Sequence, residues 1–108
     1  MTLPCRFRET VQDRAQADAR FRCALLTEAV SEMLSGDLAV GKTLLRDYVN
    51  ATLGFERLAA EVDRPVKSLQ RMLGPSGNPT AGNLIAILKV LQEHEAVQIK
   101  VKLHKDAA

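Results

Sequence analysis

The 108-residue chain has a formal net charge of +2, is 46% hydrophobic and carries 4% aromatic residues with no Trp. That length suits one ordinary domain with a real core, and the shortage of rings leaves Leu, Val, Ile, Ala and Met to fill it, which favours helices packed through aliphatic ridges. A charge so close to balance excludes a global basic field, so nucleic-acid affinity would have to come from local placement. No apolar run approaches the ~20 residues of a membrane span, and Met1 to Ala19 lacks a signal peptide's continuous apolar stretch, so a cytoplasmic protein with no membrane partner is expected.

Met1 to Arg8 contains Pro4 and little periodicity; it reads as an arm made basic by Arg6 and Arg8, with Arg14 beyond. A polar helix is expected from about Glu9 to Ala19, unless Asp18 already begins the next element. From Arg20 to Leu34 the set Leu25, Leu26, Ala29, Val30, Met33 and Leu34 has helical spacing, and Gly36 is placed to end that helix in a left-handed conformation. Asp37 can cap a further helix with apolar positions Leu38, Leu44, Leu45, Tyr48, Val49 and Leu53, closed by Gly54. These supporting helices span residues 21–53.

Residues 54–74 then hold a pair of short helical patterns too close for anything except a tight turn. Leu58, Ala59 and Val62 stripe the first; Val66, Leu69, Met72 and Leu73 stripe the second. Asp63 is the available residue for a positive φ between them, and Pro65 suits the first turn of the second helix, where its missing N–H is not required. This is the pattern of a helix-turn-helix. Lys67, Ser68, Gln70 and Arg71 are expected on the outer face of the second helix, which carries no acid, as a helix lying against phosphates should be. The plain alternative is two packed helices of an all-α domain.

Gly74-Pro75-Ser76-Gly77-Asn78-Pro79 must be a loop, with Thr80 capping a last helix that runs over about 80–94. Its stripe is Leu84, Ile87, Leu88 and Leu91, widened by Ile85 and Val90. The period changes after Ala96: Val97, Ile99, Val101 and Leu103 alternate with Gln98, Lys100, Lys102 and His104, the pattern of a half-buried strand over 97–103. No second strand is legible, so pairing with its own copy in a homodimer is the nearest solution, with Val97, Ile99, Val101 and Leu103 as the dimerisation face. Folding back on Thr2 to Phe7, or accepting a strand from another protein, are the other candidates. The predicted fold is therefore mainly α, five or six helices in a single domain containing a helix-turn-helix, with one C-terminal strand.

Little else points to chemistry. Gly36-Asp37-Leu38-Ala39-Val40-Gly41-Lys42-Thr43 satisfies the spacing of a phosphate-binding loop, but such a loop follows a buried strand, and here the preceding residues have a helical period. The segment reads instead as a junction between two helices, with Lys42 dispensable for DNA binding and for stability. His94 and His104 have no nucleophile or carboxylate set at a useful spacing, and a solvated imidazole is expected for each. Glu56, Glu61 and Asp63 read as surface acids, one of them pairing with Arg57 or Arg64. Cys5 and Cys23 are too few for a metal site and read as reduced thiols. No catalytic residue, metal or cofactor is expected, and the chain is not read as an enzyme.

Leu58-Ala59 with Leu69, then Gly77-Asn78-Pro79-Thr80 and a helix bearing Leu84, Leu88 and Leu91, resembles the lambda-repressor-like helix-turn-helix regulators of bacteria. Gly36-Asp37, Leu45-Arg46-Asp47, Gly54, the Gly-Asn-Pro loop and the alternating terminal segment are similar to the addiction-module antidote (antitoxin) branch of those regulators. The resemblance covers roughly Leu25 to Leu103. It implies sequence-specific binding of double-stranded DNA as a homodimer and, in the antidote branch, neutralisation of a toxin protein. By the motif's geometry Val66 and Lys67 would meet base edges, Arg71 a guanine or a phosphate, and Arg64 and Ser68 the backbone, with Gln70 on the same polar face. Asp63 stands where the turn usually has Gly, and Pro65 and Val66 where many relatives carry a polar cap and a base-reading side chain. A protein-interaction module that uses the helix pair only as scaffold is the alternative of a different class.

Overall fold

The computed structural model describes residues 17–106; the basic arm, most of the helix expected from Glu9, and Cys5 lie outside the described residues. Within them the fold is mainly helical. We label the helices α1 (Ala19–Leu34), α2 (Leu38–Ala51), α3 (Gly54–Val62), α4 (Val66–Met72) and α5 (Ala81–Glu95).

Each helix boundary has a local cause. The Asp18 carboxylate accepts from the N–H groups of Arg20 and Phe21 at 2.9 and 3.4 Å, which makes it the N-cap of α1. At the far end Gly36 takes φ +99°, and the Asp37 N–H reaches back to the Glu32 carbonyl at 2.8 Å, closing the helix in the way the sequence required of Gly36. Asp37 then caps α2 through Val40 N–H at 3.2 Å, and Thr80 caps α5 through Asn83 N–H at 3.2 Å. Gly54, at φ +80°, turns the chain between α2 and α3.

The core is mostly aliphatic, with Tyr48 and Phe55 as its buried rings. Leu26, Leu45, Val49, Leu58, Leu69, Leu73, Ile87 and Leu91 are almost wholly enclosed, as is Tyr48. Helices α1 and α2 pack most extensively, and they can do so because Gly41 lets the backbones approach. A Cβ there would lie 2.4 Å from Met33 Cγ and 3.0 Å from the Ala29 carbonyl oxygen. Three polar groups from distant helices tie the bundle together behind this crossing. Arg22 of α1 grips Glu95 of α5 with both ends of its guanidinium, Nε to Oε1 at 2.9 Å and Nη2 to Oε2 at 3.1 Å, and the Tyr48 hydroxyl donates to the same carboxylate.

Two expectations are corrected here. Lys42 is not dispensable surface: it is the buried charged side chain of α2, only 4% exposed, and its Nζ donates to the Gly74 and Gly77 carbonyls at 2.9 and 2.6 Å. Since α2 begins at Leu38, most of the phosphate-loop match is helix. Ile85 is 65% exposed and does not widen the core stripe, whereas Val90 is buried as expected.

The predicted strand is absent among the described residues, and Val97 to Asp106 carry neither helix nor ladder. A strand exists by pairing, and the described neighbour of this segment is helix α1, whose backbone is already bonded within itself and offers no ladder. The segment instead leaves α5 through Ala96 in a left-handed conformation at φ 57°, and Gln92 holds its first residues. The Val97 N–H donates to the Gln92 carbonyl at 3.0 Å, and the Ile99 N–H to Gln92 Oε1 at 2.7 Å. Of the four residues assigned to a buried face, Ile99 alone packs on the core; Val101 and Leu103 are 73% and 96% exposed.

Candidate nucleic-acid interface

The pair α3 and α4 is built on Phe55, Leu58 and Ala59, buried on α3, and Leu69, buried on α4. Between them Asp63 adopts φ 55° and ψ 52°, the left-handed conformation its position demanded, and the Arg64 N–H closes back on the Ala59 carbonyl at 3.1 Å. An aspartate can occupy this region because its short polar side chain tolerates it better than a branched or bulky one would. Pro65 falls one place earlier than expected. It is the residue before α4, with φ −62° and ψ 144°, rather than part of its first turn.

The expected site residues divide by exposure. Lys67, Gln70 and Arg71 are exposed on α4, and Arg64 is exposed at its entry. Ser68 is half-buried, short of the full exposure the sequence predicted, and Val66 is half-buried against the core. Arg64 is also engaged, since its Nη2 donates to Asn83 Oδ1 of α5 at 3.2 Å. Both residues line a cleft of about 360 Å³ between α4 and the start of α5, together with Met72, Thr80 and Gly82 among others. The outer surface of the turn and α4 therefore presents Arg64, Lys67 and Arg71 against the single acid Asp63.

No protein-family model, curated protein or solved structure matches the chain. Its residues and their geometry are what bear on function.

The sequence does not mark Asn83 and Thr80 as neighbours of the basic face. Nothing in the sequence pairs Arg64 with a residue of the following helix, because that contact depends on how the intervening loop folds. One nearby acid is paired. Glu61, at the end of α3, contacts His94 of α5 and lies 3.5 Å from Arg57, and these partners hold its carboxyl below the usual range. His94 is thus paired with a carboxylate rather than simply solvated. No helix among the described residues is long and apolar enough to cross a membrane.

Proposed function

We propose that the chain is a sequence-specific DNA-binding regulator in which α3, the Asp63 turn and α4 act as a helix-turn-helix with α4 as the reading helix. The observation that carries this reading is the acid-free outer face of α4, where Lys67, Gln70 and Arg71 are exposed beside Arg64 while the inner face is locked by Leu69. A short helix standing on a packed neighbour and presenting cations with an amide suits a groove lined by phosphates and base edges. Lys67 and Gln70 are assigned to base edges and Arg71 to a guanine or a phosphate. Val66, half-buried against the core, has a smaller share of the base contacts, and Arg64 and Ser68 serve the backbone.

One reading helix spans too few base pairs to select an operator, so the reading includes a homodimer formed through the segment carrying Val97, Ile99, Val101 and Leu103. The resemblance drawn from the sequence extends it to an antitoxin with a toxin protein as partner, acting in the cytoplasm without catalysis or a cofactor. The second reading, a protein-interaction module, is favoured by a different observation: Leu34, Val101 and Leu103 are 73%, 73% and 96% exposed, a large apolar display for a small domain.

A gel shift against the DNA upstream of the chain's own gene separates the two. The regulator reading expects a complex that survives excess unrelated duplex and weakens steeply with salt, since each phosphate contact released returns a counterion. A chain that binds both duplexes equally, or neither, leaves the interaction module.

A further inference from the structure

We infer that Lys42 is a positioning residue for α4: its buried ammonium fixes the end of the reading helix from which Arg71 projects. The inference rests on the regulator reading for its consequence and on the geometry alone for the clamp.

Helix α4 has 7 residues and no side-chain N-cap, so it is too short to hold itself and takes its pose from what touches it. At its N-terminal end the Asp63 turn supplies that hold. At its C-terminal end the chain folds back on itself. The Gly74 N–H donates to the Arg71 carbonyl at 3.1 Å, and the Gly77 N–H to the Gly74 carbonyl at 3.1 Å. Gly77 lies so close over the helix end that a Cβ there would be 1.9 Å from the Arg71 carbonyl oxygen and 2.6 Å from that of Met72. Carbonyl oxygens crowded at a helix C-terminus form its negative pole, where a cation is favoured.

Lys42 places a cation just beyond that pole, on the turn that follows α4. It reaches from α2, on the other side of the core, and joins the Gly74 and Gly77 carbonyls at 2.9 and 2.6 Å, so one ammonium closes both ends of the Gly-Pro-Ser-Gly turn. A buried charge satisfied by two backbone carbonyls would be costly without that pole. The clamp ties the supporting pair α1 and α2 to the last turn of α4, and Arg71 sits in that turn. Base-edge contacts are sensitive to the angle of the helix that carries them, while phosphate contacts tolerate a swing, so the clamp serves specificity more than raw affinity.

The test uses the full chain and Lys42→Met, which keeps much of the length and loses charge and donors. Amide exchange is expected to accelerate at Gly74 and Gly77 in the variant, and to stay protected in α1, α2 and α5. Against a sequence selected from a random duplex pool by the wild type, the ratio of specific to non-specific affinity should fall at least about tenfold, with affinity for unrelated duplex unchanged. A variant with released loop amides and an undiminished ratio overturns the positioning role; unchanged loop amides overturn the clamp itself. Should Lys42→Met fail to fold, a slowly exchanging ε-ammonium signal with contacts to the Gly74 and Gly77 α-protons is expected in the wild type, and its absence refutes the clamp. A wild type that selects no sequence sinks the regulator reading alone, because the exchange and ammonium measurements still decide whether Lys42 holds α4.

Discussion

Glu95→Ala removes the carboxylate on which three helices converge. Arg22 donates to it twice, at 2.9 and 3.1 Å, and Tyr48 once, and its own side chain is 10% exposed. Breaking a buried pair by deleting one partner costs about 3–5 kcal/mol, chiefly because the other charge is stranded. Arg22 retains 22% exposure, so water recovers part of that loss and the expected cost is roughly 2–4 kcal/mol, a large share of the ~5–15 kcal/mol that holds a domain together. Tyr48→Phe loses only the hydroxyl's bond and should cost about 1.5 kcal/mol. The assay is urea denaturation followed by far-UV circular dichroism, with an unchanged m-value required before midpoints are compared. The control is Arg22→Met with Glu95→Leu, which strands no charge but leaves the buried Tyr48 hydroxyl without its acceptor, so it is expected to cost about 1–2 kcal/mol, less than the single change. A single Glu95→Ala change costing less than about 0.5 kcal/mol, or a double variant as damaged as the single, would refute the argument. The pH dependence has a fixed sign. Arg22 first, and then Tyr48, hold the Glu95 carboxyl below its ordinary value against the opposing effect of burial, so the folded pKa is depressed. Its stabilisation is therefore complete above the unfolded value of about 4.3 and is lost as pH falls through the lower folded value. Burial, followed by Glu95, raises Tyr48 well above the ordinary phenol range, so its contribution is complete below the unfolded value of about 10 and is lost as pH rises from there through the higher folded value. Glu95→Gln should flatten the acid limb and leave the middle of the curve lower.

Three further outcomes are expected. Ala96→Gly relieves a non-glycine left-handed residue at the end of α5 and should stabilise by about 0.5–1 kcal/mol in the same denaturation assay, the unfolded-state entropy of Gly offsetting part of the relief. Arg71→Ala should cost about 1–3 kcal/mol on a selected duplex if it meets a guanine; an equal loss on every sequence, measured by competition, would make it a phosphate contact instead. Truncation before Lys100 leaves the Gln92 contacts intact and removes Val101 and Leu103, so sedimentation should show a monomer with weakened operator binding; a truncated dimer of full affinity would place the interface elsewhere.

The parts of this fold that were legible are those with a local cause. Gly36, Asp37, Asp63 and Thr80 each perform the turning or capping their neighbours demanded, because caps and left-handed turns are settled within four or five residues. Arg22 and Glu95 lie 73 positions apart, and no period links them. Lys42 was misread because a lysine in a helix is ordinarily solvated. The available signal was its phase, one turn before Leu45 on the inward side of α2, together with a glycine-rich loop full of bare carbonyls. The tail was misread for the opposite reason. Alternation reports which side chains share a face, and it predicts burial only where a partner exists to supply the other wall.

The way the tail leaves α5 turns Gln92 into the fulcrum of a lever. Its carbonyl takes the Val97 N–H, its Oε1 takes the Ile99 N–H, and its Nε2 is braced on the Leu88 carbonyl at 3.1 Å. Beyond that point the chain passes beside α1, bordering a cleft with Thr27, Val30, Ser31 and Leu34, and at up to ~3.3 Å per residue the stretch from Ile99 to Leu103 is an arm of at most about 13 Å. A rotation of about 10° at the fulcrum swings the Leu103 end by roughly 2 Å, about half the spacing between paired strands. A substitution at Gln92, which touches the tail only at the backbone of its first residues, would thus re-aim the stretch beyond Ile99 while leaving every residue on it unchanged.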